Sequence, residues 1–159
     1  MIPFDVLFGM DSEVEYKGKV INKFFRFSNK GQYTLTFTFI KTNSHFNQAI
    51  VIFLNEFDGE FILDGDQMKI PKNRFPKFNF WADTAPAKIE IEVIVEQGSL
   101  TICNGSDPIG TKQICHSLSF GCAMIIDKID DNTYRFYCND HENDDDFDDL
   151  VFEMEICKK

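Results

Sequence analysis

Apolar and polar residues alternate with a period of two in four segments of this chain, spread from its first quarter to its C-terminus. The segments are Tyr33–Phe39, Lys88–Val95, Tyr134–Cys138 and Leu150–Ile156. Successive side chains of a β-strand point to opposite faces of the sheet, so each segment is typical of a strand with one face buried. No long segment has a helical period. The pattern predicts an all-β fold, an antiparallel β-sandwich of the jelly-roll type.

Short segments rich in Gly, Asn, Asp and Ser separate the predicted strands and are expected to be turns. They are Ser28–Gly31, Asn55–Gly59, Asp64–Asp66 and the position of Gly98. The first of them predicts a hairpin between a strand at Val20–Phe27 and the strand that begins at Tyr33. The continuously apolar run Ala49–Leu54 predicts a central strand covered on both faces.

Length and phenylalanine content indicate one hydrophobic core. The chain has 159 residues, which predicts a single domain over residues 1–159. Most of its 18 phenylalanines lie at the inward positions of the predicted strands. Large flat side chains fill the space between packed sheets, so we interpret these rings as core rather than as a ligand surface.

The formal net charge of −10 restricts the class of partner. Nucleic acid backbones and anionic lipid surfaces are bound mainly by Lys and Arg, so we expect no nucleic acid and no membrane partner. Solubility alone explains such a charge. The alternative is an acidic surface that attracts a basic protein partner.

The cysteines and the N-terminus favour a cytoplasmic protein. An odd number of cysteines without a CxxC motif predicts reduced thiols, and neither a zinc site nor a dithiol redox motif. The first residues lack the basic and long apolar regions of a secretory signal. The five cysteines are Cys103, Cys115, Cys122, Cys138 and Cys157.

An acidic loop between the last two predicted strands is the first candidate site. Calcium binds six to eight oxygen ligands, so carboxylates clustered in one loop have the chemistry of a calcium site. The spacing is not that of an EF-hand, and a solvated loop is the alternative. We expect Phe147 to anchor the loop. Its acidic residues are Asp140, Glu142, Asp144, Asp145, Asp146, Asp148 and Asp149.

An aromatic and polar surface is the second candidate site. Trp81 is the only tryptophan and lies beside prolines, while Arg135 and Tyr137 share the outward face of one predicted strand that Asn139 follows. An aromatic ring that stacks on a sugar, with polar groups bonding its hydroxyls, is the usual arrangement of a carbohydrate site. For Trp81 the alternative is a core side chain at the end of the sandwich.

Two further patterns have the residue types of catalysts. Cys115 and His116 are adjacent, but neighbouring side chains of a strand point apart, which separates a thiol from its base. Glu90 and Glu92 share a strand face at ~7 Å, as an inverting glycosidase pair does, yet such pairs are common on solvated sheets. We therefore expect no enzymatic activity.

Three segments resemble the galactose-binding-like jelly rolls and the carbohydrate-binding modules built on them. Asn29–Phe39 is similar to their G-x-Y-x-L-x-F strand, Lys88–Val95 is similar to a mid-chain strand, and Phe147–Ile156 is similar to the closing D-x-L-x-F/V strand. The resemblance implies carbohydrate binding. It also implies a structural calcium ion bound with the help of Asp148 or Asp149.

Together these observations predict a non-enzymatic β-sandwich binding module for a carbohydrate or another small polar ligand. The expected ligand contacts are Trp81, Arg135, Tyr137 and Asn139. No cofactor is expected other than a structural calcium ion near Asp140, Asp148 and Asp149. The alternative is an acidic cytoplasmic protein-interaction module, such as an immunity protein that binds a basic toxin.

Overall fold

The strands of this protein form one open antiparallel β-sheet. The computed structural model describes residues 3–68, 76–111, 114, 121–142 and 144–159. Neighbouring strands follow the order β1-β2-β9-β10-β11-β4-β8-β5-β6, with β3 also paired to β8 and β7 to β5. The elements are α1 (Phe4–Phe8), β1 (Glu13–Tyr16), β2 (Lys19–Asn22), β3 (Phe25–Phe27), β4 (Gly31–Thr42), β5 (Asn47–Leu63), β6 (Asp66–Met68), β7 (Lys77–Trp81), β8 (Lys88–Asp107), β9 (Ala123–Lys128), β10 (Thr133–Asn139) and β11 (Leu150–Lys158).

The predicted all-β antiparallel class is confirmed, whereas the sandwich and jelly-roll arrangement stays a prediction. No helix in the described ranges has the length and apolar character needed to cross a membrane. The expected hairpin at Asp64–Asp66 is present, because β5 and β6 pair through Leu63 and Asp66.

The alternating segments form the strands that they predict. On β4, Tyr33, Leu35 and Phe37 are buried, while the threonines between them are half-buried. The first half of β8 buries every second residue in the same way, from Ile89 to Val95. Since β4 and β8 pair in register, their apolar faces form one continuous surface of the core.

Two of the predicted turns are instead irregularities within long strands. β5 runs through Asn55–Gly59 and β8 runs through Gly98 without a break. Their register shifts between Asn55 and Asp58, and again between Asp58 and Gly59. A β-bulge bends its strand while pairing continues. On the two sides of this bulge β8 has different neighbours, β4 before it and β3 after it.

The predicted hairpin between Val20–Phe27 and β4 is wrong. The segment is divided into β2, which pairs with β1 and β9, and β3, which pairs with β8. The ring centroid of Phe25 lies 4.8 Å from that of Tyr134 and 5.7 Å from that of Phe136, both on β10. Contacts of Phe25 across the core, which a local turn pattern does not record, thus accompany the pairing of β3 with β8.

A second, smaller cluster of buried side chains attaches the N-terminus to the sheet. We call α1, β1 and β2 the N-terminal unit (residues 3–22). Phe4, Phe8 and Ile21 of this unit are buried together with Ala123 of β9 and with Phe147. Tyr137 and Ile125 pack against the same cluster. The N-terminal unit therefore covers the outward side of β9 and β10, next to the loop between β10 and β11.

Candidate functional site

An acidic pocket lies between the end of β4 and the loop that joins β10 to β11. We call residues 140–149 the acidic loop. The pocket has a volume of about 370 Å³. Its lining contains no apolar side chain among the described residues: Thr42, Asn43, Ser44, His45, Asp140, Glu142, Asp144 and Asp149.

Asp140 joins the two sides of the pocket. It is 2% exposed. Its Oδ2 accepts hydrogen bonds from Ser44 Oγ at 2.5 Å and from Gln48 Nε2 at 3.1 Å, and its Oδ1 accepts one from the backbone N–H of Glu142 at 2.9 Å. Charged oxygens that accept several hydrogen bonds form strong, well-oriented contacts. Asp140 is thus a structural part of the pocket wall.

Gln48 adds a buried polar group beside this wall. The side chain is 1% exposed, and its amide nitrogen donates to Asp140. Its Oε1 atom is buried and has no hydrogen-bond partner among the described residues. Gln48 also lines a groove that shares Thr42, Ser44 and His45 with the acidic pocket. Ordered water and ions are among the partners that such buried acceptors take in proteins.

Asp149 is a nearly fully buried carboxylate at the start of the last strand. It is 3% exposed. Its Oδ2 accepts a hydrogen bond from the backbone N–H of Asp140 at 2.9 Å. Burial, and then the negative charges of Asp140, Asp146 and Asp144, raise the pKa of Asp149 to about 8. The charged form of Asp149 therefore needs a nearby cation.

The carboxylates of Asp144, Asp146 and Asp149 converge. One oxygen from each lies within 4.8 Å of the other two. Ions with oxygen ligands at 2.3–2.6 Å hold those oxygens no more than about 5 Å apart, so this spacing fits calcium. Partial desolvation and the neighbouring Asp144 raise the pKa of Asp146 to about 7, although the side chain is exposed. Among the described residues, no Lys or Arg forms an ion pair with these three carboxylates.

The three predicted metal ligands, Asp140, Asp148 and Asp149, have different surroundings. Asp149 belongs to the converging group and Asp140 is hydrogen-bonded to it. Asp148 accepts a hydrogen bond from Asn43 Nδ2 at 2.7 Å and lies 3.7 Å from Lys41 Nζ, and its carboxylate also interacts with Asp146. The Asn43 hydrogen bond lowers the pKa of Asp148. Asp144 and Asp146 were part of the acidic loop in the sequence, but no spacing rule selected them.

The three ligand residues predicted on β10 already have protein partners. Arg135 donates from Nε and Nη2 to Glu153 Oε1 at 2.8 and 2.5 Å, and its Nη1 lies 3.5 Å from the hydroxyl of Tyr137. The ring of Tyr137 packs against the N-terminal cluster. Asn139 is fully buried and donates to the carbonyl oxygens of Gly121 and Glu142 at 2.9 and 2.8 Å. Asn139 therefore anchors the acidic loop.

Trp81 lies apart from these residues. It is 9% exposed and belongs to the main core, on β7, where it pairs with Ala49 of β5. It lines a separate pocket of about 230 Å³ together with Asn79 and Pro86. This burial agrees with the alternative interpretation of Trp81 as a core side chain, so Trp81 has no place in the acidic pocket.

The two catalytic patterns gain no support from the described residues. Cys115 and His116 lie outside those residues. Glu90 is exposed on β8, and Glu92 forms an ion pair with Lys159. An ion pair with a lysine is the ordinary arrangement of a glutamate on a solvated sheet face.

Comparison of this chain with protein-family models, with curated proteins and with solved structures gave no match.

Proposed function

We propose that this protein is a non-enzymatic binding module and that the acidic pocket is its ligand site. The observation that supports this most directly is the buried carboxylate of Asp149, grouped with Asp144 and Asp146 and without a basic partner among the described residues. An isolated buried charge is unfavourable by several kcal/mol in proteins, so such a group recruits a proton or a cation. Gln48, whose Oε1 atom has no hydrogen-bond partner among the described residues, lines the groove that adjoins the pocket.

Calcium is the cation that we propose. The converging donors are carboxylate oxygens, which hard cations prefer. Calcium tolerates irregular coordination with six to eight oxygens, whereas magnesium requires near-octahedral geometry and retains several waters. An irregular loop with three converging carboxylates suits calcium better. The ion would have coordination positions left for water or for the hydroxyl groups of a carbohydrate or another small polar ligand.

We expect the purified protein to bind calcium and the substitution Asp146→Asn to weaken that binding at least about tenfold, because affinity in such sites follows the number of charged ligands. Isothermal titration calorimetry with calcium chloride measures the affinity directly. Asp127→Asn is the matched control, since it removes one carboxylate from an exposed position on β9 outside the loop. Absence of calcium binding by the unmodified protein would refute the proposal.

A glycan array, run with calcium and again with a chelator, tests the proposed polar ligand. Binding that requires calcium supports a carbohydrate bound through the ion in the acidic pocket. Binding that survives chelation places the sugar elsewhere, and then the pocket around Trp81 becomes the region to mutate. A blank array with calcium-loaded protein argues against carbohydrate.

A basic protein partner is the second candidate function. The observation that favours it is the exposure of Asp144 and Asp146 at an open acidic pocket on a chain with a net charge of −10. A lysine or arginine side chain supplies a positive charge to the same carboxylates.

If a basic partner binds here, we expect its association rate to fall as the salt concentration rises, because long-range attraction between opposite charges is screened. An arginine-rich peptide is a suitable probe, and its association can be followed at low and high sodium chloride. A rate that does not depend on salt contradicts this second function. Competition between the peptide and calcium would locate the contact in the acidic pocket.

A further inference from the structure

We propose that the N-terminal unit acts as a clamp that positions the acidic loop for calcium, so that docking of this unit and binding of the ion strengthen each other. The inference rests on the proposed calcium site and concerns its regulation. The residues that carry it are Tyr16 and Lys17 at the tip of the β1–β2 hairpin, Phe4 in α1, and Asp145 and Phe147 in the acidic loop.

Successive residues of the acidic loop have different partners. Asp144 and Asp146 contribute to the converging carboxylates, whereas Asp145 between them contacts the N-terminal unit. The Tyr16 hydroxyl lies 2.9 and 3.0 Å from the two carboxylate oxygens of Asp145. Lys17 Nζ donates to Asp145 Oδ2 at 2.6 Å. Asp145 is thus a point of attachment rather than a free ligand.

Phe147 forms the second attachment. Its side chain is 8% exposed and its ring centroid lies 5.5 Å from that of Phe4. Phe4 also packs edge-on against Tyr16, with the ring centroids 5.1 Å apart. The three rings connect the helix, the hairpin and the acidic loop. Burial of one such ring stabilises a structure by about 2 kcal/mol, so the attachment is substantial.

The backbone of the loop depends on these attachments. Asp145 and Phe147 have φ values of 65° and 50°, in the left-handed region. This conformation costs about 1–2 kcal/mol for a residue with a side chain. The contacts of Asp145 and Phe147 offset that cost. Without them we expect the loop to relax and the carboxylates of Asp144 and Asp146 to move away from Asp149.

Coupling of this kind is reciprocal. If docking of the N-terminal unit raises the affinity for calcium by some factor, calcium favours the docked unit by the same factor. Typical coupling between two events in one protein changes affinity about 5–150-fold. The solvent exposure of the N-terminal unit would then be lower when calcium is bound than when it is absent.

The substitution Lys17→Met separates the clamp from simple electrostatics. Removal of a positive charge near an acidic site tightens cation binding if charge alone matters. The clamp predicts the opposite, an affinity for calcium about fivefold weaker, because the attachment of Asp145 is lost. Lys19→Met is the matched control: it removes an equal charge from the same hairpin, at an exposed residue without a hydrogen bond or ion pair to Asp145 among the described contacts. Tyr16→Phe, which changes no charge, is expected to weaken binding in the same direction as Lys17→Met.

Calorimetry with calcium on variants of the whole 159-residue chain measures these affinities, and amide hydrogen exchange of residues 3–22 gives the reciprocal readout. At a calcium concentration that saturates the unmodified protein but not Asp146→Asn, we expect calcium to slow exchange in this unit in the unmodified protein and much less in the variant. Calcium affinities of Lys17→Met and Tyr16→Phe equal to or tighter than that of the unmodified protein would overturn the clamp, while the calcium site itself would stand. If the unmodified protein binds no calcium, the proposed function fails first.

Discussion

In a buffer that contains a chelator, the free energy of unfolding is expected to fall as the pH rises from about 4 to about 8. The pKa of Asp149 is raised from 3.8 to about 8 in the folded protein by burial and by neighbouring carboxylates. Between these values the folded state retains a proton that the unfolded state has released, so a rise in pH favours unfolding. The slope for one such group is at most about 1.4 kcal/mol per pH unit. Asp146, with its pKa raised to about 7, acts in the same direction.

Urea denaturation at several pH values, with chelator and with excess calcium, measures this dependence. Calcium binds the ionised carboxylates, so its addition is expected to stabilise the protein most at the high end of the range. A concentration one hundred times the dissociation constant stabilises the folded state by about 2.7 kcal/mol. A flat profile in chelator would mean that Asp149 is ionised in the folded protein without an added cation, contrary to the argument.

The substitution Asp149→Asn gives this prediction its control. The amide oxygen of asparagine can still accept the hydrogen bond from the backbone N–H of Asp140, while the charge is removed. At pH 8 in chelator we therefore expect the variant to be more stable than the unmodified protein. With calcium the order is expected to reverse, because the variant lacks a ligand of the ion.

The strands of this fold could be predicted from the sequence because their alternation is a local property. Every second residue of Tyr33–Phe37 and of Ile89–Val95 is buried, as the pattern requires of a strand with one face on the core. The pairing of the strands, in contrast, joins residues that are far apart in the sequence. Phe25 pairs with Ile102, more than seventy positions away in the chain, and no short-range pattern records that choice.

The candidate site could likewise be predicted from the sequence only in part. Composition identified the acidic loop, and it also suggested that Phe147 anchors it. The convergence of Asp144 and Asp146 on Asp149 occurs where Asp145 and Phe147 have a left-handed backbone and where Asp145 contacts a tyrosine 129 positions earlier in the chain. Such contacts follow from the tertiary structure alone. Arg135 was placed on the correct strand and Asn139 directly after it, whereas Asn139 is the last residue of β10; their partners Glu153 and Gly121 could not be predicted from the sequence.

The predicted turns at Asn55–Gly59 and at Gly98 failed for a physical reason that can be tested. Glycine and polar residues suit a turn and a bulge equally well, because some types of each contain a residue with positive φ. What distinguishes the two here is the close approach of two backbones. A Cβ atom at Gly98 would lie 2.4 Å from the carbonyl oxygen of Glu56 and 2.5 Å from that of Asn55. A turn at the surface has no such neighbour.

The substitution Gly98→Ala is therefore expected to destabilise the protein by more than about 3 kcal/mol, since steric overlap adds to the cost of positive φ. Gly65→Ala is the matched control. Gly65 has a φ of 81°, against 80° for Gly98, but no atom lies within 4 Å of its Cβ position. We expect Gly65→Ala to cost only about 1–2 kcal/mol, the backbone contribution alone. Urea denaturation of both variants isolates the overlap as the difference between them. Equal losses would mean that β5 and β8 separate at Gly98 without cost, and that the bulge does not hold these two long strands together.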